Sequence, residues 1–304
     1  MRLVFAGTPE AAVPTLRRLA GEHEVVAVAT RPDAPLGRKR VLTPSPVAAA
    51  AEELGLPVIR AARLDDEATA RIAGLAPELG VIVAYGGLVR EPLLSTPTAG
   101  WINLHFSILP RWRGAAPVQR ALIAGDPELG ASVFQLVPAL DAGDIFAART
   151  FPVPPDATAD EALASLARDG AGLVSEVVTS IAKGSAKAEA QQGEPTTAAK
   201  LDLSDGLLDW TRPAEEVFAR YRGVTSEPGA HTLVAGVPVK VRELRRAAGA
   251  DRLEPGALLL RKDGVLVGTA TDPLLLTRVQ PAGKAAMAAP DWFRGLRTDA
   301  RAGA

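Results

Sequence analysis

The residues with the clearest chemical potential are Asn103, His105 and Asp141. Asn103 and His105 stand two apart, so in a β-strand both side chains project from one face. An amide donates hydrogen bonds without carrying charge, and an imidazole gains or loses a proton near neutral pH. Side by side they suit a reaction in which an oxyanion develops while a proton moves. Asp141 sits in the turn-like run Leu140-Asp141-Ala142-Gly143-Asp144, where a carboxylate can orient or deprotonate a nearby imidazole or a water. Spacing alone does not separate this chemistry from a purely structural role. An N-x-H pair often satisfies local backbone groups, and Asp in a D-x-G context often serves its own turn.

The elements that must position these groups follow from the hydrophobic pattern. Leu3–Ala6, Val25–Thr30, 58–59, Val81–Tyr85 and Trp101–Phe106 are short apolar runs expected to be strands. Between them, 14–19, 46–54 and 66–75 have helical spacing. Strands alternating with helices predict a parallel-rich α/β sheet, and ligands gather at the C-terminal ends of such strands. Residues 118–123 and 160–181 predict further helices, and 131–137 and 145–152 predict an antiparallel pair flanking Asp141. Residues 183–205 are rich in Ala, Gly, Ser, Thr, Gln and Lys without an apolar period, and are expected to link two domains, 1–182 and 206–304. The second domain opens with a helix over 214–221. Five short strands are expected at 231–234, 237–244, 257–260, 265–268 and 274–279, a count that suggests a small β-barrel or sandwich.

Composition narrows the chemistry. The 304 residues are 47% hydrophobic and 23% charged, normal for a globular protein, with a net charge of -1. There is no cysteine, which removes thiolate catalysis, disulfides and cysteine-bound zinc, and fits a reducing cytosol. The first strand ends in Gly7-Thr8-Pro9-Glu10, without the G-x-G-x-x-G of dinucleotide sites, and no P-loop pattern occurs. The apolar start is too short for a signal sequence or a membrane span. His23 and His231 are expected at the surface, and Trp210 and Trp292 in a core or interface.

The longer pattern identifies a family. Asn103-Leu104-His105 runs on through Ser107-Ile108-Leu109-Pro110-Arg111-Trp112-Arg113-Gly114-Ala115-Ala116-Pro117 to Gln119-Arg120, with Leu140-Asp141 and Gly143-Asp144 following. This resembles the methionyl-tRNA formyltransferase family, within the folate-dependent formyltransferases. Val4-Phe5-Ala6-Gly7-Thr8-Pro9-Glu10, Arg31-Pro32-Asp33 with Gly37-Arg38-Lys39-Arg40, and Val279-Gln280-Pro281-Ala282-Gly283-Lys284 resemble it too. The resemblance therefore spans nearly the whole chain. It implies a Rossmann-like formyltransferase domain followed by an OB-like barrel. It also implies 10-formyltetrahydrofolate as co-substrate, no metal, and initiator methionyl-tRNA as acceptor, in the cytoplasm. A monomer is expected.

The same resemblance assigns roles. Asn103 and protonated His105 would stabilise the oxyanion, and Asp141 would favour the charged imidazole and help route the proton. Ser107, Ile108, Leu109 and Pro110 would meet the folate largely through backbone, with Tyr85 and Gly86 near the pterin. Arg38, Lys39 and Arg40 form a basic loop that would reach the tRNA acceptor stem. Lys240, Arg242 and Lys284, with Arg245 and Arg246, are phosphate-contact candidates on a C-terminal region that is weakly basic overall. Two departures stand out: Ala11, where the family usually has an aromatic residue near the acceptor pocket, and Thr197, where it often has Tyr. Formyl transfer to a sugar or ribonucleotide amine, hydrolysis of the folate, and folate or tRNA binding without catalysis remain as alternatives.

Overall fold

The computed structural model describes residues 1–37, 39–152, 154–247, 249–296 and 300–303. Arg38, one of the expected tRNA contacts, lies outside the described residues. Contacts within the chain divide it into two compact units. One comprises Met1–Pro117, Glu128–Val153 and Leu163–Ala198; the other comprises Val118–Pro127, Pro154–Ala162 and Ala199–Ala304.

The first unit is built on a seven-stranded sheet. Its strands are β1 (Arg2–Gly7), β2 (Glu24–Thr30), β3 (Val58–Arg60), β4 (Leu79–Val83), β5 (Trp101–His105), β6 (Leu129–Gln135) and β7 (Ile145–Phe151). Across the sheet they run β7-β6-β5-β4-β1-β2-β3. Pairings from β3 to β5 are parallel, and β5-β6 and β6-β7 are antiparallel. Leu3, Val4, Phe5 and Ala6 are all fully buried, as expected of a parallel strand covered on both faces. The strand order reverses beside β1 and β4, which makes the carboxyl ends of β4 and β5 the natural edge of a ligand site.

Helices α1 (Val13–Glu22), α2 (Pro46–Glu53) and α3 (Asp66–Gly74) join the parallel strands. Their starts are chemically defined. Ser45 Oγ accepts from Ala48 N–H at 3.0 Å, and Asp65 Oδ1 accepts from Ala68 N–H at 3.1 Å. Pro14 and Pro46 sit in first turns, where a missing N–H costs nothing. Further along, α4 spans Pro117–Ile123 and α5 spans Ala159–Ala182. One expectation shifts: β4 covers Leu79–Val83 and does not reach Tyr85. Ala84 adopts φ 48°, outside the extended region, so the ladder stops and Tyr85 begins a loop.

The 183–205 segment is not a bare tether. Glu189 exchanges backbone hydrogen bonds with Ile145 at 2.8 and 3.0 Å, and Thr197–Ala198 pairs in parallel with Arg113–Gly114. Its composition hides this, because the ties run through backbone and single polar side chains with no apolar period.

The second unit carries α6 (Ala214–Gly223), an antiparallel sheet of six strands and α7 (Ala289–Phe293). The strands are β8 (His231–Val234), β9 (Val237–Arg246), β10 (Leu258–Leu260), β11 (Val265–Val267), β12 (Leu274–Pro281) and β13 (Met287–Ala288). The path is β8-β9-β12-β11-β10, with β13 on β12. The sheet curls as a half-barrel, consistent with an OB-like domain. Five strands were expected; β13, two residues long, is too short to leave a pattern. The end of the chain narrows the open side: Ala302 bridges Val234 of β8, and Arg301 bridges Ala257 just before β10. Trp210, 2% exposed, anchors the core and donates through Nε1 to Thr232 Oγ1 at 2.9 Å. Trp292 is buried in the same cluster. His23 and His231, expected at the surface, are half-buried. No helix among the described residues is long and apolar enough to cross a membrane.

Candidate functional site

Strand β5 delivers Asn103 and His105 to the wall of one cavity, and Asp141 reaches the same wall from the turn between β6 and β7. The cavity holds about 830 Å³. Residues 84–91, 103–106 and 136–141 supply most of its lining, so it opens where the strand ends predict.

His105 is 6% exposed. Its Nε2 lies 2.8 Å from Trp112 O. A carbonyl only accepts, so Nε2 carries the hydrogen, and in the neutral ring Nδ1 keeps its lone pair. That Nδ1 faces Asp141 Oδ2 at 3.8 Å. Burial pulls the His105 pKa below its ordinary value, although Asp141 and the Trp112 carbonyl act in the opposite direction. Desolvation thus disfavours the charged form of the resting imidazole. The Phe134 ring meets it edge-on, centroids 6.4 Å apart.

Asp141 is held in a left-handed conformation, φ 44°, and is 9% exposed. Its Oδ2 accepts from Gly114 N–H at 2.8 Å. Gly143, two residues on, has no room for a side chain: a Cβ there would lie 1.7 Å from Gln135 O. Asn103 is different again. Its Oδ1 is buried with no hydrogen-bond partner, on the cavity wall. Such an orphaned polar atom marks a place where a ligand group completes the pairing.

The remaining expected residues divide. Tyr85 and Gly86 line the cavity, and Gly86 O accepts from the Arg31 guanidinium at 2.7 Å. Ser107, Ile108, Leu109 and Pro110 are not among its lining residues. They fold back on β6, where Ser132 Oγ donates to Ser107 O at 2.8 Å and accepts from Leu109 N–H at 3.1 Å. Ser107 Oγ donates to Arg111 O at 2.6 Å. The walls that sequence reasoning passed over are 87–91 and 136–140. Apart from Arg90 and Glu91 they carry no ionisable groups, and only Gly86-Gly87 and Pro138 at strand ends hint at them.

Lys39 and Arg40 are exposed at the tip of a two-stranded ribbon, Ala34–Leu36 with Val41–Thr43. Lys240, Arg242 and Lys284 are exposed and gather around Gln280. Lys240 is its register partner, Arg242 Nε donates to its Oε1 at 3.1 Å, and its Nε2 donates to Lys284 O at 3.0 Å. Arg245 and Arg246 are tied internally, the first to Glu243 and the second to Glu215 and Asp156. No group of three or more His, Asp or Glu side chains among the described residues could hold a metal ion.

Comparison with known proteins identifies the family. Residues 1–178 match the formyl transferase family and residues 200–297 match the formyl transferase C-terminal domain. A protein of Leifsonia xyli subsp. xyli named methionyl-tRNA formyltransferase is 60% identical over 300 residues, covering 99% of both chains. One of Clavibacter sepedonicus with the same name is 59% identical, covering 98% of both. Among solved structures, an N-formyltransferase from Helicobacter canadensis, in complex with folinic acid and dTDP-3-aminofucose, shares the fold. Its TM-score is 0.68 at 15% identity, over 93% of this chain and 99% of that one. The chain accordingly belongs to the formyl transferase family, on its methionyl-tRNA formyltransferase branch.

Proposed function

We propose that this protein transfers the formyl group of 10-formyltetrahydrofolate to the α-amino group of methionine esterified to initiator tRNA, with Asn103, His105 and Asp141 as the reactive centre. The observation that carries this reading is the convergence of those three side chains on one cavity wall in a chain of this family. The cavity volume is in the range of small-molecule sites, and the unpartnered Asn103 Oδ1 fits a polar ligand group. Residues 84–91 and 136–140 would hold the folate, which brings a formyl group already activated on nitrogen.

The chain's own groups then divide the work. The Asn103 amide donates to the formyl oxygen as negative charge builds there, a contribution of about 2.7–4 kcal/mol for a donor of this kind. His105 Nδ1, free because Nε2–H is committed to Trp112, takes a proton from the attacking amine. Asp141 stabilises the imidazolium so formed. His105 then releases that proton to the departing nitrogen. One C–N bond forms, one breaks, and one proton changes nitrogen.

Residues 1–182 carry the chemistry in this reading, 183–205 connect, and 206–304 hold the tRNA. Lys240, Arg242 and Lys284 on the one unit, and Lys39 and Arg40 on the other, would meet phosphates. We take the chain to act as a monomer. The absence of cysteine suits the cytoplasm, where translation begins.

The test is direct. The protein is incubated with 10-formyltetrahydrofolate and charged initiator tRNA, with charged elongator methionine tRNA as control. Formylation of the initiator alone is expected. Folate hydrolysis without transfer, or formylation of a sugar nucleotide in its place, would overturn the reading.

A further inference from the structure

The segment 189–198 contributes no residue to the cavity, yet it grips both loops that hold the reactive centre. Two hydrogen bonds set the geometry of His105 and Asp141. One runs from His105 Nε2 to Trp112 O, the other from Gly114 N to Asp141 Oδ2. Both end on the short run 112–114. On its other side that run is bonded to the strap. Trp112 N–H donates to Thr196 Oγ1 at 2.9 Å, and Arg113 N–H donates to Thr196 O at 2.8 Å. Gly114 lies so close that a Cβ there would sit 2.7 Å from Ala198 O.

Gln191 joins this run to the Asp141 turn. Its Nε2 donates to Asp141 O at 2.8 Å and to Gly143 O at 2.9 Å. Its Oε1 accepts from Arg113 at 3.2 and 2.6 Å. Two carbonyls require donors and a guanidinium requires an acceptor, so the chemistry fixes which end of the amide is which. The result is a closed circuit: Gln191 to Arg113, on to Gly114, across to Asp141, and back to Gln191. Trp112 and Asp141 both hold positive φ, 61° and 44°, a region that side chains with a Cβ leave when nothing holds them.

We propose that Gln191 is a positioning residue for the transfer reaction, supported by Thr196. The strap fixes the Nε2–H tautomer of His105 through Trp112, and fixes the His105–Asp141 separation through Gly114 and the Asp141 turn. This rests on the roles proposed above for His105 and Asp141. Displacing a reacting group by about 1 Å lowers turnover by roughly a hundredfold.

The experiment uses Gln191→Leu, which keeps the approximate side-chain volume and removes every hydrogen bond, and Thr196→Val, which removes only the acceptor for Trp112 N–H. Both are measured for kcat and KM, and by nitrogen-15 NMR of the imidazoles. The chain has three histidines, so His105 is assigned by the signal lost in His105→Gln. In either variant kcat falls by about ten- to a hundredfold while the KM for the folate stays within about twofold, because the strap does not line the cavity. The His105 signal leaves the Nε2–H tautomer position and titrates differently. In an Asp141→Asn background the Gln191→Leu loss shrinks to less than about threefold, since the group it positions is already disabled. Wild-type turnover in both variants would overturn the proposal. So would a loss accompanied by an unchanged His105 signal and titration, or a full additive loss in the Asp141→Asn background. A wild-type protein that fails to formylate tRNA would count against the proposed function, while the His105 signal would still decide whether the strap positions the ring.

Discussion

Replacing Asp141 with Asn tests the electrostatic core of the site. The amide is nearly the same size and its oxygen can still accept from Gly114 N–H, now at 2.8 Å, so the turn should survive. What disappears is the charge 3.8 Å from His105 Nδ1. At that separation and an effective dielectric constant of about 20, an imidazolium–carboxylate pair is worth about 4 kcal/mol. Both side chains are buried, so solvent screens the pair little. If the imidazolium forms during reaction and Asp141 stabilises it, kcat falls by roughly a thousandfold, at about 1.4 kcal/mol per decade. Single-turnover formylation at saturating substrate measures this, with thermal unfolding alongside to show an intact fold. A fall of less than about tenfold in a folded variant would refute the charge as the stabilising element. Asp141→Ala adds a separate loss, because it leaves Gly114 N–H without its acceptor at a cost of about 1–3 kcal/mol in stability.

Three further outcomes follow from the same geometry. Burial holds His105 below its ordinary pKa of 6.5 in the folded chain, so the unfolded chain binds the proton first as pH falls. Its contribution to stability is present above about pH 6.5 and is lost as pH falls through the folded value. Urea unfolding should show the wild type losing stability relative to His105→Gln on acidification; the difference cancels His23, which burial shifts in the same direction. A pH-independent difference would contradict the assignment. Gly143→Ala drives a Cβ to 1.7 Å from Gln135 O, so it should lower both Tm and kcat, at a stability cost of about 1–3 kcal/mol or more. An unchanged Tm would mean the turn has room that the structure denies. Lys240→Glu with Arg242→Glu should weaken tRNA binding and reduce the slope of log affinity against log salt by about 2, measured by filter binding or fluorescence. A slope that stays put removes both residues from the interface.

Much of the candidate site was legible because the relevant signals are local. Strand period alone puts Asn103 and His105 on one face, and the apolar run from Trp101 marks the strand. The parallel sheet follows from the alternation of apolar runs with helical spacing; the caps at Ser45 and Asp65 come from the structure. Tyr85 and Gly86 lie on the cavity wall, although the strand that leads to them ends at Val83, before the turn at Ala84.

What sequence by itself determined, then, was the set of candidate reactive groups, the alternation that builds the sheet, and the family pattern across 103–120. Only the tertiary structure decided which groups meet and in what state. Asp141 comes within 3.8 Å of His105 because β6 returns antiparallel beside β5, a long-range pairing without local signature. The downward pull on the His105 pKa is a property of its burial, which no spacing reveals. The Ser132 hydroxyl, distant in the chain, ties Ser107 and Leu109 to β6, a contact no local pattern announces. The polar run 189–198 has the composition of a tether. Its order comes from backbone pairs and one fully satisfied amide at Gln191, interactions whose partners lie some fifty and eighty residues away. Local periodicity carries information about faces, whereas these ties depend on where the sheet brings distant chain together.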